Sequence, residues 1–500
     1  MGTPTEGPGR DLDTAASSGV PGVPGDTLRR GRPKRASLVA RRLEREIIEE
    51  GWPIGRVIGT EPELLDRFEV GRGVLREAVR LLEDHQVARM RRGRGGGLVV
   101  LEPDVRTVAE AASIYLESLG VSADDVFEAR LVLDLFAVAL AADRIDEAHA
   151  ARLRELLEEE RRADEHQIVG GSHRQVHAAI AEAGGNPAIA VFAQALSLLA
   201  DDQDRRYGRL TGPASRQAAA GAHRAHEAIV EAIISGDALL ASRRMRKHLT
   251  ALHQELIHRQ DGPRAEPVEA TAASGQTGRT LARRIRADVM ALGWPVGQNL
   301  GSETALLERY GASRSALREA VRILEHHAAV EMRRGPGGGL VVRAPDGEAV
   351  TRAAVLHLHY RTITTAALFE ARDALEAATL RLATERLDDE GRALLAEALE
   401  RTRDLRSPQF GPATHDFHVA IARLSGNQTL QLFVAILAEI TAERVPGAPP
   451  SDRQTASARS ARQQVDHAHR RIAEAVFEGD SSLALRRMRL HLRALECSIA

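Results

Sequence analysis

The stretch LREAVRLLEDH, Leu75–His85, returns as LREAVRILEHH at Leu317–His327, nine of eleven letters identical at an offset of 242 residues. Its reading decides the fold. Leu75, Ala78, Val79 and Leu82 fall at i, i+3, i+4 and i+7, so they share one apolar helix face. Arg72, Arg76 and Arg80 fall at i, i+4 and i+8 and form a second stripe beside it. Arg314, Arg318 and Arg322 repeat that stripe in the second copy.

Working outward, ASLVARRLEREIIEE at 36–50 sets Leu38, Leu43, Ile47 and Ile48 at helical spacing, and Gly51 and Pro53 end that helix. Thr60 precedes Glu63 by three, a capping-box spacing. The second copy has Ser302 as the cap, with Ala305 where the Glu would stand. A short helix follows, and the chain turns near Gly71, or Ser313, into the arginine helix. Beyond it, VARMRRGRGGGLVV reads as two short strands around a basic glycine-rich tip with Arg92 and Arg94. The second tip carries Arg334, and Pro336 replaces Arg94. An α-helix fits the major groove of DNA, where Arg reads guanine or grips phosphate.

The echo covers the whole chain. GWPIG at Gly51 matches GWPVG at Gly293, and FEAR at Phe127 matches FEAR at Phe369. GGNPAI at Gly184 pairs with SGNQTL at Ser425, the offset having slipped to 241. HEAIVEAIISGDALLASRRMRKHL at His226 pairs with HRRIAEAVFEGDSSLALRRMRLHL at His469, at offset 243. A period this long marks two copies of a whole module. The expected division is a disordered basic arm (1–35), a front domain (36–103), a helical domain (104–258), a linker (259–278), a second front domain (279–345) and a second helical domain (346–500).

Composition agrees. Five hundred residues exceed one compact core and imply about two to four domains. Aromatics are scarce at 3%, a mix that favours helices. The net charge of −2 excludes a polycation, so nucleic-acid binding rests on local charge. Residues 279–343 hold eleven arginines against six acids, +5; residues 36–101 hold twelve against eleven, +1. The preceding RRGRPKR, Arg29–Arg35, adds five positive charges. The lone Cys497 forms no internal disulfide, which fits a reducing cytoplasm, and no apolar run is long enough to span a bilayer.

Both front parts resemble the winged helix-turn-helix of the GntR family of bacterial transcription regulators. The resemblance rests on Thr60-Glu61, Arg72, LREAVRLLE and the wing, then on Ser302-Glu303, Ser313-Arg314, LREAVRILE and its wing. It implies DNA contact by Arg72 and Arg76, and by Arg314 and Arg318. Departures stand at Pro62 and Thr304, where some members carry an Arg, and at Gly71, which replaces the usual Ser cap. The arm's RGRP resembles an AT-hook, in which Arg30 and Arg32 would enter an A·T-rich minor groove; the plainer reading is a basic linker.

Each back part reads as six or seven amphipathic helices, an antiparallel bundle with no convincing strand. The fold is therefore mainly α, with β confined to the two wings. His173 and His177 lie four apart on one helix, and His226 and His248 lie 22 apart on two helices split by SGD. The second copy keeps His418, His469 and His491. A lone buried His is ordinarily a satisfied core residue, whereas matched sets point to a shared metal site, zinc or nickel foremost. These parts resemble the FCD ligand-binding domain of the FadR subfamily, through FEAR, His177/Asn186, His418/Asn427 and the final His–GD–Met–His pattern. That resemblance implies a divalent metal held by one Asp and three His beside an organic-acid effector. Here the Asp position carries His173 in the first copy and Thr414 in the second. It also implies Arg130, Asn186, Arg372 and Asn427 around an effector carboxylate; an ion pair with a bundle acid is the bland alternative for each Arg.

The leading expectation is a ligand-responsive transcription regulator, with repression as its expected sense, acting on double-stranded DNA from the cytoplasm and nucleoid without contact to a membrane. The duplication reads as a fused pseudo-dimer serving two half-sites, with a homodimer as the alternative. Two other readings stay open: a metal-dependent enzyme on the histidines, although no nucleophile motif is present, and an architectural DNA-binding protein.

Overall fold

A computed structural model of the chain describes residues 35–93, 95–162, 173–206, 212–261, 278–335, 337–345, 347–403, 410–444 and 456–499. The first front domain, reader 1, starts with α1 (Arg35–Glu49), which buries Val39, Ala40, Leu43 and Ile47. Leu38, expected on that face, is 52% exposed instead, because the helix is rotated so that Val39 and Ala40 meet the core. Then come β1 (Val57–Gly59), α2 (Glu61–Phe68), α3 (Arg72–Asp84), β2 (Ala88–Arg91) and β3 (Gly97–Val100). The strands form an antiparallel sheet of order β1-β3-β2, with Ala88 opposite Val100 and Arg91 opposite Gly97. The wing hairpin was legible; β1 was too short to show a period. Leu75, Ala78, Val79 and Leu82 of α3 are buried, as their spacing predicts.

Reader 2 repeats this with α11 (Gly278–Ala291), α12 (Glu303–Tyr310), α13 (Arg314–His326), β4 (Val330–Arg333) and β5 (Gly339–Val342). Its third strand shrinks to one bridge between Asn299 and Val341. In both readers the Gly-Trp-Pro turn puts a tryptophan at positive φ, 58° at Trp52 and 54° at Trp294. That conformation is unfavourable for a bulky residue. Burial of each ring and an indole N–H donated to Leu101 O (2.9 Å) or Arg343 O (2.8 Å) hold it.

The first helical domain comprises α4 (Val105–Ser118), α5 (Ala123–Arg144), α6 (Glu147–Arg162), α7 (His173–Ala183), α8 (Pro187–Arg206), α9 (Gly212–Ile234) and α10 (Ala238–Asp261). The second comprises α14 (Gly347–Tyr360), α15 (Thr365–Glu385), α16 (Asp389–Arg401), α17 (Phe410–Leu424), α18 (Gln428–Arg444), α19 (Ala456–Phe477) and α20 (Ser481–Ile499). Helix α10 continues through Asp261, past the expected boundary at 258, and α11 begins at Gly278. No helix among the described residues is long and apolar enough to cross a membrane.

One hydrophobic core runs through both helical domains, joining Tyr115, Leu133, Leu196 and Leu199 to Leu358, Leu375, Phe433 and Leu437. Around it the halves exchange equivalent contacts. Asn186 Nδ2 donates to Ala367 O at 2.8 Å, and Asn427 Nδ2 donates to Asp125 O at 2.9 Å. Arg144 pairs with Glu370, and Arg386 pairs with Glu128.

The readers dock crosswise. Leu356 of α14 joins the core of reader 1, and its equivalent Ile114 of α4 joins the core of reader 2. Glu44 on α1 meets Arg352 of α14 at 2.7 Å, and Arg286 on α11 meets Glu117 of α4 at 3.2 Å.

Candidate functional site

The outer face of α3 carries Arg72, Arg76 and Arg80, all exposed, and α13 likewise exposes Arg314, Arg318 and Arg322. Burial of the apolar stripe against the reader core forces the arginine stripe outward. Arg80 lies 3.8 Å from Asp84, while Asp84 also faces His326 of reader 2 at 3.6 Å. Ser313 Oγ accepts from Ala316 N at 3.2 Å and caps α13; Gly71 leaves α3 without a side-chain cap. In α2 the backbone N–H of Thr60 donates to Glu63 at 2.8 Å; in α12 Ser302 Oγ accepts from Ala305 N at 3.3 Å.

The wing tips demand glycine. A Cβ on Gly96 would come within 2.3 Å of Arg91 O, and one on Gly338 within 2.4 Å of Arg333 O. Arg92 and Arg334 stand exposed beside these tips. Arg30, Arg32 and Arg94, together with the arm that carries the first two, lie outside the described residues.

In the first helical domain, α7 delivers His173 and His177, α9 delivers His226 and α10 delivers His248. One ligand atom from each lies within 4.8 Å of all the others. His177 Nε2 and His248 Nε2 are 3.4 Å apart. The other ring nitrogens are held from outside. His177 Nδ1 lies 3.4 Å from Asp134, and His226 Nδ1 lies 2.9 Å from Glu160. This leaves Nε2 of His226 buried without a hydrogen-bond partner. A carboxylate behind an imidazole fixes the tautomer and turns the opposite nitrogen's lone pair toward the shared centre.

The second set is built alike from α17, α19 and α20. His418, His469 and His491 also meet within 4.8 Å. His469 Nε2 stands 3.1 Å from His491 Nε2, and His491 Nε2 stands 3.3 Å from His418 Nε2. Glu376 receives His418 Nδ1 at 2.6 Å, and the His469 ring stacks on Phe417 at 4.1 Å. Thr414 is outside the set and donates to Gly411 O; Asp416 faces Arg401 at 4.0 Å.

Burial, together with neighbouring imidazoles, pushes His173, His248, His469 and His491 well below the usual histidine range. Burial takes His177 down to about 4 against the opposing pull of Asp134. These five rings are thus neutral and ligand-competent. Burial alone would raise Glu376, but Arg372 and His418 bring it to about 2. Such closely spaced, unprotonated nitrogens have the donor chemistry of a transition-metal site.

Arg130 donates to Asp134 at 3.0 Å and reaches to 3.3 Å from His177 Nδ1. Arg372 donates to Glu376 at 2.6 Å and to Thr441 at 3.2 Å, leaving Nη2 buried without a partner. Both arginines therefore sit beside the histidines, each already paired with the acid four residues on. A cavity of about 160 Å³ opens next to His173 and Arg130, bounded by Phe127, Arg174, Ser197 and His253.

The asparagines went elsewhere. Asn186 caps α8 through Oδ1, accepting from Ala188 N at 3.1 Å, and spends Nδ2 on Ala367 O and Glu370. Asn427 accepts from Leu430 N and donates to Asp125 O and Glu128. Their amides hold the halves together, and the structure does not bring them to the histidines. The supporting acids Asp134, Glu160 and Glu376 were not singled out in the sequence. The i, i+4 spacing of Arg130/Asp134 and Arg372/Glu376 could have found two of them, but nothing local ties Glu160 to His226.

Comparison with known proteins finds matches to both kinds of domain. The FCD domain profile matches residues 125–251 and 367–494. The profile for bacterial regulatory proteins of the gntR family matches 35–97 and 277–340. The Uxu operon regulator of Haemophilus influenzae is 26% identical over 155 residues, 30% of this chain and 55% of that regulator. The chain thus spans little more than half the length of that relative. The Glc operon transcriptional activator of Escherichia coli is 27% identical over 213 residues, 40% of this chain and 80% of that protein. Among solved structures, a Streptococcus agalactiae GntR protein is similar at 23% identity and a TM-score of 0.35, covering 44% of this chain and 99% of that one.

Proposed function

Because the chain belongs to the GntR family of bacterial regulatory proteins and carries two FCD domains, we propose that it is a fused pseudo-dimer that represses transcription from a two-half-site operator. Regulation of transcription, rather than catalysis, is what its family does. The observation that carries the pseudo-dimer reading is the shared core between the helical domains with both readers in one chain. The exposed stripes Arg72, Arg76, Arg80 and Arg314, Arg318, Arg322 would each enter a major groove, with Arg92 and Arg334 on the flanking backbone.

The histidine sets fit a divalent metal: their nitrogens converge, and Asp134, Glu160 and Glu376 stand behind His177, His226 and His418. His173, His177, His226 and His248 would hold it in the first domain, and His418, His469 and His491 in the second. A bound ion would supply a positive centre for a carboxylate oxygen. Arg130 and Arg372, each beside its set, would orient the anion, and the cavity next to His173 would admit a small acid. Filling it would shift the packing that places one reader against the other. Such a protein would work in the cytoplasm on the nucleoid.

The test is selection of binding sites from random duplexes, with mass photometry of the complex. A paired motif bound by one chain, and released by metal plus an organic acid, supports the reading. Binding that follows only salt and A·T content would overturn it in favour of an architectural role.

A further inference from the structure

Each reader leans on the half it is not joined to, and the charges at these contacts are inverted between equivalent positions. Glu44 of reader 1 corresponds to Arg286 of reader 2 at the offset of 242. On the docking helices, α4 carries Glu110 and Glu117 where α14 carries Arg352 and His359. The residues in each pair are seven apart and share a helix face.

In the crossed arrangement Glu44 and Arg286 each meet an opposite charge. Glu44, 1% exposed, takes Arg352 at 2.7 and 3.0 Å and His85 at 3.1 Å. Arg286 takes Glu117, 7% exposed, at 3.2 Å. Uncrossed docking would set Glu44 against Glu110 and Glu117, and Arg286 against Arg352 and His359. A like-charged buried pair is far costlier than a loosely packed one. Equivalent residues Asp84 and His326 face one another at 3.6 Å, where pairing of like halves would put Asp on Asp.

We propose that these inverted charges are a pairing code: reader 1 docks only on α14 and reader 2 only on α4, so a first half accepts a second half and rejects its like. The duplication then enforces one-to-one pairing of its unlike halves, beyond simply tethering them. This deepens the pseudo-dimer part of the reading above and is independent of DNA or effector.

The test uses the full chain with Cys497→Ala, since that thiol is exposed. Arg41→Cys with Glu348→Cys reports crossed docking, because these side chains meet at 3.2 Å at the surface. Arg41→Cys with Arg106→Cys reports the uncrossed alternative, Arg106 being the equivalent of Glu348. A short bis-maleimide bridges each pair, and peptide mass spectrometry reads the yield. The native charges should bridge 41 to 348 and leave 41 to 106 near background.

Adding Glu44→Arg should cut the 41–348 yield by about fivefold or more and raise 41–106. Reader 2 already seats Arg at that position, so the substitution is compatible with the reader fold. Adding Arg352→Glu as well, with Glu443→Gln to remove the acid that contacts Arg352, should return the 41–348 yield to within about twofold of native. Undiminished bridging in Glu44→Arg overturns the code. So does failure of the charge-restored variant to recover, which would mean a packing defect and no code. Mass photometry of the same samples reports chains per particle separately, so a chain–chain dimer would sink the self-contained pseudo-dimer without touching the pairing rule.

Discussion

Phe192 stacks on Phe433 with ring centroids 4.2 Å apart and planes 13° from parallel. The two are equivalents: each stands six residues beyond its interface asparagine, Asn186 or Asn427. A residue that meets its own equivalent marks an isologous contact, the kind a two-fold axis creates. Here both partners belong to one chain, so the contact is formed within the chain. Both rings are about 1% exposed or less.

Phe192→Ala should therefore destabilise the union of the helical domains by about 3–5 kcal/mol. Chemical denaturation should change from one transition to two as the halves lose their common core. A single transition at an unchanged midpoint would show that the stack contributes nothing.

Removing Arg76 or Arg318 should cost about 1–3 kcal/mol of operator affinity each if they reach base edges. Fluorescence anisotropy on the selected duplex measures this. Because reader 1 has less local positive charge than reader 2 over their described residues, the two substitutions should differ in salt dependence. Equal, negligible losses would remove these helices from the DNA interface.

The caps offer a stability check. Ser313→Ala should cost about 1 kcal/mol by stripping the cap from α13, while Gly71→Ser should stabilise α3 by a few tenths of a kcal/mol, roughly the Gly-to-Ser difference at such a site. Calorimetry of the two variants reads opposite shifts in Tm, and like-signed shifts would refute the assignment.

Zinc or nickel should raise the melting temperature, each filled site adding about 2.7 kcal/mol of stability at a hundredfold excess over Kd. His226→Ala and His469→Ala should each abolish one metal equivalent, read by elemental analysis after dialysis. Unchanged stoichiometry in either variant would reduce that histidine set to core packing. Asn186→Ala should leave the metal count intact, since its amide serves the interface.

His357 supplies a pH dependence away from the metal sets. It is 2% exposed, beneath reader 1, and burial takes it down to about 4, aided by Arg361 and opposed by Asp104. The folded state thus prefers the neutral ring. Its contribution is fully present above about 6.5, the unfolded value, and is lost as pH falls toward 4. Between pH 6.5 and 5 the loss should be about 2 kcal/mol. His357→Phe should flatten the stability profile across that window, and an unchanged slope would show that other groups carry it.

The sequence by itself determined the two-copy layout, the reader helices and their arginine stripes, and the histidine sets. Each depends on local period or on a repeat that aligns with itself. Helical spacing turns a list of letters into a face, so Leu75, Ala78, Val79 and Leu82 could be placed inside without coordinates. Only the tertiary structure decided which face meets which across the chain. Asn186 and Asn427 became interface residues because α8 and α18 begin at the junction of the halves. Glu160 came to support His226 across 66 residues of chain. Glu44 found Arg352 across 308. Such meetings depend on how helices stack around a common core, and no local pattern records that distance.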